Sequence, residues 1–328
     1  MRNTLTFFGV FLIIVIGTFI FFHQKTEDRP VVIAYQTGVD PSKIAQASQA
    51  YEKNTHQKII WKKFDTGSDV INALASGDVD IGNIGSSPFA AASSKNLPIE
   101  AFLIASKLGS SEALVVHNNE SIKTPQDLVG KKIAVPFVST THYSLLSALK
   151  KWGISEQQVQ IVNLRPPEII AAWQRKDIDA AYVWEPALSQ IKTTGHVLVD
   201  SKEVATWGHP TFDLWVVRKD FAKTNPNFLQ SFVDTTVNAF KTYTNNPVQF
   251  IENKTYLTEI SQLTGSNAQD IPLLLAGNQY LNKQEQYKLL TQDFAKNITD
   301  TALFLKSQDK LDQVKPNYQD NINANFVK

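Results

Sequence analysis

Ile81-Gly-Asn-Ile-Gly-Ser-Ser-Pro-Phe-Ala-Ala-Ala-Ser-Ser94 is the stretch on which the fold turns. A turn at Ser76-Gly-Asp78 precedes it, and the apolar segment Val79 to Ile84 reads as a short buried strand. Gly85, two serines, Pro88 and an alanine run follow. Ser87 is a good N-cap, and Pro88 suits the first helical position, where its missing N–H costs nothing. A strand that turns through serines into a helix leaves backbone N–H groups and two hydroxyls aimed at one place, which suits an anion. An ordinary capped strand-to-helix connection would carry the same residues, so the rest of the chain has to decide.

The stretch has an echo. Leu74-Ala-Ser-Gly-Asp-Val-Asp-Ile-Gly82 is answered by Trp173-Gln-Arg-Lys-Asp-Ile-Asp-Ala-Ala181, each reading as a helix end, a tight turn with two aspartates, and a strand. Each leads to a proline-marked helix start, at Ser87-Pro88 and at Glu185-Pro186. Around them strands and helices alternate to about residue 220. Val31 to Tyr35, Lys58 to Phe64, Ile99 to Ser106, Ala113 to His117, Lys131 to Pro136, Val159 to Asn163, Asp177 to Trp184, Val197 to Val199 and Thr211 to Val217 read as strand segments. Helices are expected from Pro41 to Asn54, Gly67 to Ser76, Thr141 to Trp152 and Pro166 to Gln174, and from Pro226 the pattern is helical almost to the end. This is an α/β chain with two mixed, mostly parallel sheets. In such sheets ligands sit beyond the carboxyl ends of the strands, so two facing sheets would bring both proline-marked helix starts into one cleft.

Composition narrows the function. Of 328 residues, 43% are hydrophobic and 19% charged, the profile of a globular body. Arg2 is the one charged residue among the first 24, and the remainder balances 31 basic against 31 acidic side chains. A neutral body gives no electrostatic case for nucleic acid. Cysteine is absent, which excludes disulfides, thiol nucleophiles and thiolate metal sites. Arg2 followed by the uncharged run Phe7 to Phe22 reads as a signal peptide or an uncleaved membrane anchor over residues 1–24, with a linker over 25–30. The run shows no small-x-small cleavage site, which favours the anchor, with this segment touching the membrane and the body on its outer face. No catalytic motif stands out. Gly-x-Ser-x-Gly, His-Glu-x-x-His and a phosphate-binding glycine loop with lysine are all missing, and no cofactor or metal is expected.

Candidate cleft residues come from the ends of strands and the segments after them, with Asp213 and Trp215 joining from the returning strand Thr211 to Val217. Gln36, Ser86, Ser87, Thr140, Thr141 and His142 offer neutral donors, with His142 read as a donor or packed ring because a helix start disfavours its protonation. Tyr35, Trp184, Glu185, Asp213 and Trp215 offer carboxylates and ring faces that suit a cation. Asp213 could equally be an ordinary surface residue, and Glu185 no more than a helix cap.

These segments also carry a resemblance. Tyr35-Gln-Thr37, Trp61-Lys-Lys-Phe-Asp65, the run from Ala73 to Pro88, Ala105-Ser-Lys-Leu-Gly109, the run from Ala134 to Leu146, Ala171-Ala-Trp-Gln-Arg175, Ala181-Tyr-Val-Trp184 and the run from Leu214 to Phe221 resemble the taurine-binding members of the sulfonate, nitrate and taurine group of periplasmic substrate-binding proteins. The likeness covers about residue 31 to 328. It implies the two-lobed type II periplasmic-binding-protein fold with two inter-lobe crossovers. The first lobe takes residues 31–113 and, with a helical tail, 213–328; the second takes 114–212. It also implies a monomeric extracytoplasmic subunit that passes taurine, or another small sulfonate, to an ABC permease with a separate ATPase. On that model the neutral-donor group faces the sulfonate, and the acidic and aromatic group faces the ammonium. An enzyme on the same scaffold and an anchored envelope sensor are the rival readings.

Overall fold

The computed structural model describes residues 29–118 and 122–328. The run Phe7 to Phe22, read as signal or anchor, lies outside the described residues; among those described, no helix is long and apolar enough to cross a membrane. Ten strands follow in chain order: β1 (Val31–Tyr35), β2 (Ile59–Lys63), β3 (Ile81–Gly85), β4 (Ile99–Lys107), β5 (Glu112–His117), β6 (Lys132–Val135), β7 (Gln160–Asn163), β8 (Ala180–Trp184), β9 (Gly195–Asp200) and β10 (Phe212–Arg218). They form two five-stranded sheets, ordered β2-β1-β3-β10-β4 and β7-β6-β8-β5-β9. In both, the first three strands of that order are parallel, and the last two pairings, made by β10 and by β5, are antiparallel. Two mixed sheets flanked by helices, with a helical carboxyl-terminal region, are the architecture the sequence implies.

The echo is one joint used twice. Val32 N–H donates to Asp80 Oδ2 at 3.0 Å, and Lys132 N–H donates to Asp179 Oδ2 at 2.7 Å. In return Asp80 N–H donates to Val32 O, and Asp179 N–H donates to Lys132 O, both at 2.9 Å. The second aspartate of each turn thus pins its strand to the parallel neighbour, β3 to β1 and β8 to β6. Gly77, at φ 82°, supplies the left-handed residue that ends the preceding helix α3 (Gly67–Ser76).

Several boundaries differ from the sequence reading. The helix expected from Pro41 to Asn54 is broken into α1 (Lys43–Ala47) and α2 (Ala50–Thr55) because Gln49 takes a left-handed conformation at φ 57°. Helix α4 runs Ser86–Ser94 with Gly85, not Ser87, at the N-cap. Pro88 therefore sits within the first turn, where it still gives up no helical hydrogen bond. Helix α5 (Thr140–Trp152) begins after Ser139, whose hydroxyl accepts from His142 N–H at 3.0 Å, and stops at Gly153, φ 71°. Beyond it come α6 (Pro166–Gln174), α7 (Ala187–Lys192) and α8 (Ser201–Thr206), the last not foreseen from sequence. Helix α9 (Lys219–Thr224) leads into α10 (Pro226–Asn245). Phe232 on α10 packs against Trp215, Tyr51 and Phe102 in the core of the first lobe.

Candidate functional site

A cleft opens between the two sheets at the carboxyl ends of their parallel strands. The segments after β1, β2, β3, β6 and β8 reach it, as do Glu112 and Asp213 near the starts of the antiparallel β5 and β10. The space open to the centre of a water-sized sphere is about 50 Å³. A single water needs about 10–15 Å³ by that measure, so the cleft admits a small molecule and little else. The lobes are in close contact around it. A Cβ built on Gly85 would lie 2.6 Å from Thr140 Cγ2, and Thr37 Oγ1 donates to the Glu185 carbonyl at 2.8 Å. Arg165, at the start of α6, reaches Asp69 of α3 at 2.7 Å and Asp65 at 3.7 Å.

The structure brings together five of the eleven sequence candidates on the cleft wall: Gln36, Thr140, Trp184, Glu185 and Asp213. Gln36 donates to the Asn83 carbonyl at 3.0 Å, which fixes its amide against the end of β3. Glu185 caps the helix beside it, with Ser189 N–H donating to Oε2 at 3.0 Å, while Oε1 has no partner among the described residues. The other six stand behind the wall. Ser86 Oγ accepts from Phe212 N–H at 3.2 Å, and Ser87 is fully buried. Thr141 Oγ1 lies 2.8 Å from Ser139 Oγ. His142 accepts from Val138 N–H at 3.1 Å and stacks on Phe137 with ring centres 4.7 Å apart. Burial, helped by the charge of Lys310, pushes its imidazole down to about 4, so it is neutral at physiological pH. Tyr35 packs edge-on to Trp61, and Trp215 lies 2% exposed in the first-lobe core. Trp215 shares the face of Asp213 but pairs with Asn83, two residues back from the cleft end of β3, where Trp61 and Phe232 pack on its ring.

Sequence reasoning missed Glu112. It is 3% exposed, receives hydrogen bonds from Thr140 Oγ1 and, at 2.9 Å, from Ser201 Oγ, and lines the cleft. Its register, known only once the sheet has formed, shows why it stands there. Glu112 pairs with Trp184, the last residue of β8, as Asp213 pairs with Gly85, the last residue of β3. Each sheet therefore puts one carboxylate at the same place on its antiparallel strand. Burial raises both: Asp213 to about 7, with the charge of Asp40 adding and that of Lys43 opposing, and Glu112 to about 8, with Asp213 adding and its hydroxyl partners opposing. Burial also raises Glu185, against the hydrogen bond from Ser189. Phe137 joins Trp184 as an aromatic wall, and no lysine, arginine or histidine lines the cleft among the described residues.

The chain is 50% identical over 297 residues, 90% of its length and 92% of the relative's, to the taurine-binding periplasmic protein of Escherichia coli strain K12. Among solved structures, the alkanesulfonate-binding protein SsuA from Xanthomonas axonopodis pv. citri, bound to MOPS, superposes with a TM-score of 0.72 at 21% identity, over 87% of this chain and 94% of that one. The desulfurization enzyme DSZB superposes with a TM-score of 0.60 at 13% identity, over 90% and 97%. At such identities the likeness is of fold alone, and this fold carries both binding and catalysis. The family model described as NMT1/THI5 like matches residues 60–250, more than half of the chain, and with the half-identical relative it shows that the chain belongs to the NMT1/THI5-like family.

Proposed function

We propose that this protein is the extracytoplasmic solute-binding subunit of an ABC importer, capturing taurine between its lobes and passing it to a permease whose ATPase is a separate chain. The observation that carries the reading is the charge of the cleft wall: three carboxylates, hydroxyls and helix starts, with no cationic side chain among the described lining residues. A site for a plain alkanesulfonate has no use for ionised carboxylates. A zwitterion does, since its ammonium answers them while its sulfonate takes neutral donors. The half-identical relative is a periplasmic taurine-binding protein, which supports both the ligand and a location outside the cytoplasmic membrane. No bond is made or broken in this reading.

Asp213 takes the ammonium, with Glu185 beside it and Trp184 as the ring face. The sulfonate lies towards Gln36, Thr140 and the first backbone N–H groups of α4 and α5. Ser86, Ser87, Thr141 and His142 support those helix starts from behind, and Tyr35 and Trp215 hold the first lobe rigid. The segments 108–111 and 207–211, which join the sheets, are the hinge about which the lobes part. Calorimetry with taurine, isethionate, longer alkanesulfonates and sulfate tests the proposal. Taurine should bind most tightly, and a preference for an amine-free sulfonate would overturn the ligand assignment.

Arg165 then latches the closed form from outside. Its side chain is 50% exposed, so its ion pairs with Asp69 and Asp65 are screened by water. Arg165→Ala should speed taurine release by no more than about fivefold, the equivalent of roughly 1 kcal/mol, at low salt. The effect should vanish at high ionic strength. Stopped-flow fluorescence measures the rate, and a salt-independent change would rule out a charge latch.

A further inference from the structure

Thr140 faces the cleft from the first turn of α5 and is 4% exposed, and its hydroxyl has one hydrogen to give. When Glu112 is ionised, that hydrogen goes to Glu112 Oε1, and Thr140 turns only lone pairs towards the cleft. Lone pairs repel a sulfonate. When Glu112 carries a proton, the bond runs the other way: the acid donates to Thr140 Oγ1, and the threonine hydrogen is released to the cleft.

We propose that Glu112 acts as a neutral carboxylic acid that positions the hydroxyl hydrogen of Thr140 towards the anionic end of the ligand. The inference rests on the sulfonate reading above and gives Glu112 an indirect role, since it works through Thr140.

Burial and neighbouring negative charge favour the proton of Glu112, against the two hydroxyls that donate to it. Its other oxygen is served by Ser201, which in turn lies 3.0 Å from Tyr182 OH and 3.2 Å from Ser144 Oγ, a chain of neutral hydroxyls. The charged or titratable groups around it are Asp213 on β10, Tyr182 on β8, Glu185 just after β8 and Asp200 at the end of β9. None of them is cationic. Burial and the charge of Asp213 hold its carboxyl up to about 8, so the proton is present at neutral pH and leaves as pH rises through that value. The two equivalent carboxylates thereby divide the work. Asp213, ionised against the ammonium, serves one end of the zwitterion, and Glu112, protonated, serves the other.

Isethionate tests this without a titrating amine. Calorimetry on the intact wild-type protein should show its affinity falling about tenfold between about pH 7 and pH 9, as the competent fraction falls. At about pH 8.5 its binding should take up a proton, read from the dependence of the heat on buffer ionisation. Glu112→Ala should bind isethionate about tenfold more weakly at pH 7. Glu112→Gln, whose amide N–H donates to Thr140 at every pH, should recover most of that loss and abolish the fall above pH 8. Should either variant fail to fold by circular dichroism, the same profile and proton uptake measured on Asp213→Asn, which removes the other cleft carboxyl raised into this range, decide. A flat wild-type profile without proton uptake overturns the role of Glu112, as does a folded Gln variant no better than the Ala one. Failure of the wild type to bind either taurine or isethionate at pH 7 overturns the sulfonate reading itself, and this inference with it.

Discussion

Asp213→Asn weakens taurine binding at least about tenfold, about 1.4 kcal/mol, and leaves amine-free alkanesulfonates nearly untouched. Asp213 stands at the cleft end of β10, paired with Gly85 and partly buried between the lobes. Closing the cleft removes the water that would otherwise screen its charge, so an ammonium bound there gains more than it would at a surface. Asparagine keeps the shape and one acceptor oxygen and loses the charge. The pH dependence has a definite sign. The carboxyl of the free protein is raised to about 7, so it is ionised above that value and protonated below it. Taurine affinity should therefore decline as pH falls below about 7, by up to about tenfold per unit, and Asp213→Asn should remove that decline. Calorimetry with taurine and an alkanesulfonate at several pH values gives both readings. Equal losses for the two ligands would remove Asp213 from the ammonium role.

Gly85→Ala has the opposite signature, a loss shared by every ligand. Gly85 has φ −74° and ψ 160°, which alanine adopts without strain, so the main effect comes from contact, beside a smaller loss because alanine is a poorer N-cap than glycine. Its Cβ would lie 2.6 Å from Thr140 Cγ2 on the facing lobe and 3.5 Å from Pro88 Cδ. Overpacking of this kind costs roughly 1–3 kcal/mol. Because the clash lies between the lobes, it falls on the closed state, so all sulfonates should bind about tenfold or more weakly while the melting temperature of the ligand-free protein barely moves. Small-angle scattering should show that saturating taurine no longer shrinks the molecule. Normal closure with normal affinity would mean that Thr140 simply moves aside.

The strand-to-helix starts were legible because their chemistry is local. Serine, proline and glycine mark caps and turns within a few positions, and the Asp80 and Asp179 joints repeat a spacing that the eye can find. Asp213 was legible as a polar residue between two buried ones. Glu112 was not, since its hydroxyl partners lie 28 and 89 positions away and only the folded sheet brings them to it. Trp215 was misplaced at the cleft because regular alternation puts it on the same face as Asp213, whereas it lies two residues deeper along β10, under Trp61 and Phe232 in the core. The break at Gln49 carries no glycine or proline to announce it.

The position of β10 bears on how the molecule is assembled as it is made. All five strands of the second sheet lie within residues 112–200 and become available together. The first sheet holds four strands early, yet the one that separates β3 from β4 arrives only with residues 212–218. A nascent polypeptide halted near residue 206 would carry one finished half and one with a gap through its middle. Proteases should digest the amino-terminal half of such a fragment and spare the later one.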